Sequence, residues 1–312
     1  MKRFVFWIAL IALLPGAARA GYAYAASGDK KAAATTKAAA ANPADYVGSE
    51  VCATCHADQA KKFSTSPHSK IGLLHGGQGA TCESCHGPGR AHVEAGGDVT
   101  KILQIAKASP KQVDATCLGC HAGAHPDFER SPHGKAGVSC ASCHSVHKPE
   151  TEASLLKVAQ PRLCFQCHTD TKPAFSQPFH HRVEEGLIKC SDCHDAHGTF
   201  QDKNLKTTAD RNAICTKCHT ENAGPFVFEH PVVKTEGCMA CHSPHGSPNA
   251  RLLNVSNINT LCLQCHSATN TKAFPNALSP SGPAHNQSTQ YVSCTSCHTQ
   301  VHGSNASNVF FK

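Results

Sequence analysis

Cys238-Met239-Ala240-Cys241-His242-Ser243-Pro244-His245 places two thiols three positions apart, an imidazole directly after them and a second imidazole three residues on. Cys-x-x-Cys-His is the attachment pattern of c-type haem. Its thiols become thioethers to the porphyrin vinyl groups, and its histidine reaches the iron as the proximal ligand. The pattern occurs ten times: Cys52/Cys55/His56, Cys82/Cys85/His86, Cys117/Cys120/His121, Cys140/Cys143/His144, Cys164/Cys167/His168, Cys190/Cys193/His194, Cys215/Cys218/His219, Cys238/Cys241/His242, Cys262/Cys265/His266 and Cys294/Cys297/His298. These motifs use all 20 cysteines.

Zinc sites and thioredoxin-like redox pairs also use Cys-x-x-Cys. Neither requires a histidine after the second cysteine, and 23 histidines in 312 residues would place one there by chance about 7% of the time. A disulfide framework explains the even cysteine count and leaves the histidines unexplained. The sequence therefore predicts ten covalently bound haem c groups.

Removing the proximal set leaves 13 histidines as candidates for the opposite face of each iron. Taken two at a time, the motifs form five modules, and five histidines trail the second motif of a module: His92, His147, His197, His245 and His302. Another series stands upstream of the second motif: His68, His133, His181, His230 and His285. His68 shares a Ser-Pro-His context with His133, which favours it over His75, although His75 has the seven-residue spacing of His133 to its motif. His181 precedes Cys190 by nine residues, as His285 precedes Cys294, which favours it over His180. His125, in the turn after His121, is expected to face solvent. Beyond the N-terminal segment the sole methionine is Met239, between two haem cysteines and badly placed to reach across a porphyrin. His/Met coordination is thus set aside, and the expectation is bis-histidine, low-spin iron of low potential. Which distal histidine serves which iron is left open by spacing alone.

The elements that must hold these sites are slight. The motifs start 30, 35, 23, 24, 26, 25, 23, 24 and 32 residues apart, a self-similarity that argues for a stacked array. Aromatic residues are only 6%, too few for each site to have a conventional core, so the haems must form the interior and the apoprotein should be unfolded. The expected fold is mostly irregular with short α-helices carrying the motifs, an elongated multihaem cytochrome c array with little or no β-sheet. One further short helix is expected over residues 99–106, carrying Val99, Ile102, Leu103, Ile105 and Ala106 and ending near Pro110.

Residues 1–20 read as a secretory signal peptide: Lys2 and Arg3, an apolar run over 4–14, then Ala18-Arg19-Ala20; a cut after Ala25 also fits the small-x-small rule. The apolar run is too short to span a bilayer. Residues 21–48 are an Ala/Lys-rich tail read as flexible, and residues 49–312 hold the decahaem domain. Covalent haem attachment is extracytoplasmic chemistry, so the periplasm is the expected location. The formal charge of +7 falls to +4 without the signal, and ten ferric haems with ionised propionates bring it to about −6. That balance argues against a nucleic-acid partner.

The motifs resemble a known family, the periplasmic decahaem cytochromes of the MtrA, DmsE and PioA type, over nearly all of residues 49–312. The resemblance rests on Cys82-Glu83-Ser84-Cys85-His86-Gly87-Pro88 with His92 following, and on Cys190-Ser191-Asp192-Cys193-His194-Asp195-Ala196-His197-Gly198. It rests also on Glu229-His230-Pro231, Cys238 to Ser247, Leu261-Cys262-Leu263-Gln264-Cys265-His266, and the ending from His298 to Asn305. The Ala/Lys tail, His75 and the region around His285 depart from the family pattern. The resemblance implies a rod of two pentahaem halves sheathed by an outer-membrane β-barrel porin. Such a rod passes electrons between periplasmic donor cytochromes and a surface multihaem cytochrome or terminal reductase. No enzymatic role is expected: a multihaem nitrite or sulfur-oxyanion reductase needs an open iron position, no Cys-x-x-Cys-Lys variant is present, and ligand supply exceeds demand. A soluble periplasmic shuttle or electron store is the other alternative. The direction of flow is not encoded in these residues.

Overall fold

A computed structural model of the chain describes residues 42–71, 79–266 and 293–311. The chain divides into two units, 1–41 and 42–312, and only the second contains described residues. The expected signal peptide, most of the tail, His75 and His285 lie outside them.

The second unit is a succession of short helices and turns. Its longest helix, Pro110–His121, has 12 residues, and the others among the described residues are shorter. Among the described residues the only strands are Phe228–Glu229 (β1) and Gly303–Ser304 (β2), an antiparallel pair in the register Phe228↔Ser304 and Glu229↔Gly303. Little apolar surface is hidden: the buried hydrophobic side chains among the described residues are Val113, Phe128, Phe175, Val183 and Leu261. Five such residues cannot hold a domain of this size, so the interior must come from elsewhere.

Capping explains where the short helices begin. Thr81, Ser109 and Ser139 form capping boxes with Ser84, Gln112 and Ser142, each starting a helix that carries or contains a motif. The Ser-Pro-His repeats are also caps. Buried Ser66 and Ser131 accept hydrogen bonds from His68 N at 3.3 Å and Gly134 N at 3.1 Å, and the proline fills the first helical position. His68 and His133 are thereby presented from the same kind of turn.

Residues 99–106 do not form the expected helix. Val99–Lys101 is a single 3₁₀ turn, and Pro110 opens the next helix instead of ending one. The intervening chain is recruited to the second motif, where Leu103 N donates to His86 O at 3.0 Å and Leu103 O accepts from His86 Nδ1 at 2.9 Å. Apolar periodicity there records contact with the motif, not a helical face.

Candidate haem sites

All 20 cysteines are free thiols, and together they trace an unbroken path through the motifs. Within each module the first cysteines meet in hydrogen-bonded pairs: Cys52 with Cys82, Cys117 with Cys140, Cys164 with Cys190, Cys215 with Cys238 and Cys262 with Cys294. The shared bond holds the thiols of Cys117, Cys190 and Cys238 down at about 7 and pushes those of Cys140, Cys164 and Cys215 up. Between modules the second cysteines approach: Cys85 lies in electrostatic range of Cys117 and Cys120, Cys143 of Cys167, Cys193 of Cys218 and Cys241 of Cys265. Each motif is thus next to the one before it and the one after it in sequence.

Two of the cysteines expected to carry thioethers depart from this pattern. Cys55 and Cys297 take part in none of these contacts between motifs, although exposure does not set them apart, since Cys120, Cys167, Cys193, Cys218 and Cys265 are exposed as well. Cys55 Sγ instead accepts from its own neighbour, Thr54 Oγ1, at 3.8 Å. The reason lies in their places along the chain. Second cysteines meet across the seam between modules, and Cys55 and Cys297 belong to the first and last of these ten motifs. Both keep the three-residue spacing to Cys52 and Cys294 and stand directly before His56 and His298, so each still belongs to a complete motif.

Side-chain oxygens that the sequence reading missed hold the motifs of a module together. Ser49, Asp114, Asn212 and Asn259 each stand three residues before the first motif of a module. Their oxygens accept the backbone N–H of Cys82, Cys140, Cys238 and Cys294 at 3.3, 2.9, 2.9 and 2.9 Å. In the third module Pro161 occupies that position, and Gln160 Oε1 accepts from Ser191 N at 3.0 Å instead. A Ser, Asp or Asn recurring at one offset from the odd motifs was the available signal.

The histidines pair across a constant gap. Ring centroids are separated by 6.3 Å for His56 and His92, 6.3 Å for His86 and His147, 6.0 Å for His121 and His68, and 6.0 Å for His144 and His197. They are 6.0 Å apart for His168 and His133, 6.0 Å for His194 and His245, 6.2 Å for His219 and His181, 6.2 Å for His242 and His302, and 6.1 Å for His266 and His230. Two metal–nitrogen bonds of about 2.0 Å, with each ring centre a little over about 1 Å beyond its nitrogen, separate axial imidazole centroids by about 6.3 Å. The gap fits an iron in a porphyrin plane, and two thiols stand beside each one. His285, the remaining candidate, lies outside the described residues, so no partner for His298 is drawn from it.

The pairing crosses module boundaries. His68, His133, His181 and His230 face the first motif of the following module, whereas His147, His197, His245 and His302 face the second motif of the preceding one. Among the described residues, only His92 turns back on its own module. The seams carry backbone contacts of the same pattern: His133, His181 and His230 Nδ1 donate to the carbonyls of Ala196, Pro244 and Val301, each just before a trailing histidine, at 2.9, 2.6 and 2.9 Å. The β1–β2 pair and the bridge Phe179↔Ser247 continue two of these seams. Gly246 and Gly303 permit the approach, since a Cβ would sit 1.8 Å from Ala174 O at the first and 2.2 Å from the Phe226 ring at the second.

A carbonyl on Nδ1 fixes the tautomer that leaves Nε2 free for metal. His144, His194, His242 and His298 find theirs at Ser154, Lys203, Arg251 and Val309, at 2.7, 2.8, 2.8 and 2.6 Å. The residue after each acceptor is left-handed: Leu155, Asn204, Leu252 and Phe310 have φ of 51, 52, 60 and 61°. With Lys203 and Arg251, these are the positive-φ non-glycine residues among the described residues. Each costs about 1–2 kcal/mol, a strain confined to the loops that aim a carbonyl at a proximal imidazole.

The spare histidines separate cleanly. His180 uses both ring nitrogens, on Gln177 O at 2.5 Å and Glu185 Oε1 at 3.0 Å, while its neighbour His181 faces His219. His125 is not turned to solvent as expected; it is half-buried and stacks on His197 with centroids 3.9 Å apart. Phe128 packs under the same cluster and draws the turn inward.

Comparison with known proteins agrees with this chemistry. The doubled CXXCH motif family matches residues 133–173, 180–224 and 230–271, and the cytochrome c554 and c-prime family matches 91–145. The multiheme cytochrome MtrA of Shewanella baltica is 33% identical over 233 residues, covering 73% of this chain and 68% of that protein. The cytochrome c-type protein NrfB of Escherichia coli is 32% identical over 102 residues, 31% of this chain and 54% of its own. The C-type polyheme cytochrome OmcB of Geobacter sulfurreducens is 25% identical over 207 residues, 59% of this chain and 25% of that protein. With paired haem-attachment motifs along its length and a likeness to MtrA that spans most of both proteins, the chain belongs to the MtrA-like multihaem c-type cytochromes.

Proposed function

We propose that this chain is an electron conduit: ten haem c sites, one per motif, relay electrons across the outer membrane inside a β-barrel porin. The route runs between periplasmic donor cytochromes and an extracellular acceptor, reached through a surface multihaem cytochrome or a terminal reductase. The observation that carries the reading is the unbroken adjacency of motifs in sequence order, from the Cys52–Cys82 contact to the Cys262–Cys294 contact. Haem c supplies one-electron chemistry when bound. With haem c bound, nine sites would each have an imidazole on either side of the iron, which favours electron transfer over substrate reduction, and the carbonyls on Nδ1 would hold those rings in place.

The need for a barrel follows from surface chemistry. No helix among the described residues is long and apolar enough to cross a membrane, so this chain's backbone would need shielding from lipid. The test is solubilisation of outer membranes in mild detergent, with protease treatment of intact cells beforehand. The conduit should co-purify with a barrel protein and survive the protease. Recovery of the whole population from the periplasmic fraction, free of any barrel, would instead identify a soluble shuttle or store.

A further inference from the structure

His197 differs from the other trailing histidines in what surrounds its ring. Its Nδ1 stands 3.4 Å from Asp195 Oδ1, with the two side chains 37% and 32% exposed. The carboxylate is held there: the backbone N–H of His197 donates to the same oxygen at 2.9 Å, and Asp195 N donates to Asn204 O at 2.7 Å. His125 stacks on the ring at 3.9 Å and 30°. The corresponding positions two residues before His147, His245 and His302 are Ser145, Ser243 and Gln300, all neutral. At His147 the contrast is complete, for its Nδ1 is buried without a partner.

We propose that Asp195 is a redox-tuning residue, making the iron site between His144 and His197 harder to reduce than the neighbouring sites. This rests on the reading that these two rings, 6.0 Å apart, bracket an iron. A carboxylate beside Nδ1 makes the imidazole a stronger donor, and its charge favours the ferric state over the ferrous one. The stacked His125 and the shared backbone bond keep ring and carboxylate in register, so the effect does not average away. Glu221 offers a comparison. It lies 3.7 Å from His219 Nδ1, but the two side chains are 57% and 68% exposed in the order His219, Glu221, so water screens it. The fourth site would then be a step in the file, filled after its neighbours and limiting how readily charge passes between modules 2 and 3.

The test compares spectropotentiometric titrations of the full holoprotein as wild type, Asp195→Asn, Asp195→Ser and Glu221→Gln. Asn and Ser each keep an acceptor for the His197 N–H while removing the charge. Both should retain all haems as low-spin, with about a tenth of the titration amplitude shifted to higher potential, a ferrous-to-ferric ratio raised about tenfold at fixed potential. Glu221→Gln, whose exposed carboxylate lies beside His219 and in electrostatic range of His302, should shift the titration less than either Asp195 variant. Traces of Asp195→Asn that also superimpose would overturn the tuning, as would haem loss or high-spin haem in both Asp195 variants, since the carboxylate would then be structural. His197→Ala checks the bracket separately: appearance of one high-spin haem supports it, and an unchanged spectrum overturns ligation and tuning together.

Discussion

Replacing His245 by methionine tests the ligand geometry most directly. The His245 centroid lies 6.0 Å from that of His194 and 5.1 Å from that of Phe175. Its backbone cannot retreat, because Gly246 is pressed against Ala174 O. Methionine is unbranched and flexible, so its sulfur can occupy the space left by Nε2 without repacking Phe175. A thioether favours ferrous iron relative to imidazole, and the rise should be on the order of 0.1 V within the roughly 0.8 V that axial ligands span. For one electron that is about 2.3 kcal/mol, or roughly fortyfold in the ferrous-to-ferric ratio. A redox titration of the visible absorption should therefore show about one-tenth of the amplitude moved upward and the remainder in place. The structure also says which site moves. His245 is three residues from His242 yet faces His194, so removing the sixth motif with Cys190→Ala and Cys193→Ala should abolish the high-potential component. Removing the eighth with Cys238→Ala and Cys241→Ala should leave it. A titration without any high-potential component, or one that depends on the eighth motif, would refute the exchange of ligands between modules.

Four further outcomes follow from the same geometry. Parallel imidazole planes split the iron orbitals that they share and crossed planes leave them nearly degenerate, so ferric paramagnetic resonance should resolve two low-spin families. The smaller angles, 20, 29, 15, 27 and 23°, belong to His56, His86, His144, His242 and His266, and the larger, 70, 65 and 60°, to His121, His168 and His219; a single uniform signal would contradict the ring orientations. Burial pushes the Glu83 carboxyl up, but hydrogen bonds from Val47, Gly48 and Gly89 outweigh it and hold it below the usual carboxylate range. Glu83→Gln should cost about 1–3 kcal/mol at neutral pH and nothing once the pH falls below the folded carboxyl's range, a loss that begins beneath the ordinary value near about 4.3, read as urea unfolding midpoints converging with wild type. Asp114→Asn should be tolerated, because Asn212 and Asn259 perform the same task, whereas Asp114→Ala should cost about 1–2 kcal/mol in thermal unfolding. Excising residues 117–163 leaves Asp114 three residues before Cys164 and passes His68 and His197 to His168 and His86, so the shortened protein should load only low-spin haems.

The chemistry was legible because it is written in local spacing. Cys-x-x-Cys-His needs one turn of chain, and module periodicity follows from counting. The bis-histidine expectation came from supply and from the lone Met239. The destinations of the distal rings were not legible, since His133 serves a module seam through Ala196, 63 residues away, and spacing within a module carries no trace of that partner. Residues 99–106 misled for a related reason: Leu103 is spent on His86, and its apolar neighbours follow the motif's contour instead of a helical period. Cys55 and Cys297 read like any other second cysteine, because a motif by itself does not say whether a neighbouring module's cysteine will approach it. His125 was misplaced because a turn residue is usually wet, whereas here Phe128 of the same turn points inward and His197, from another segment, stacks on the ring. Of the strained residues after Ser154, Lys203, Arg251 and Val309, Asn204 alone is of a type that favours a left-handed backbone, and nothing in Leu155, Leu252 or Phe310 announces one.

Exchange of ligands between neighbours explains why the first module is built differently from those that follow. An inner module gives one ring forward and one ring back, and receives one from each side, so none can close its two sites alone. Residues 1–48 hold no Cys-x-x-Cys-His motif to take the first module's trailing histidine. His92 accordingly folds onto His56 at 6.3 Å, and the Asp98 carbonyl holds its Nδ1 at 2.9 Å. Repeat arrays need closed ends because a repeat stacked on nothing leaves its contact surface bare. In this family the surface left bare would be an axial face of iron, open to any small anion or oxygen. The sequence difference between the ends and the middle of the array is therefore a matter of chemistry as well as solubility. Where the exchange stops sets how many sites the array holds.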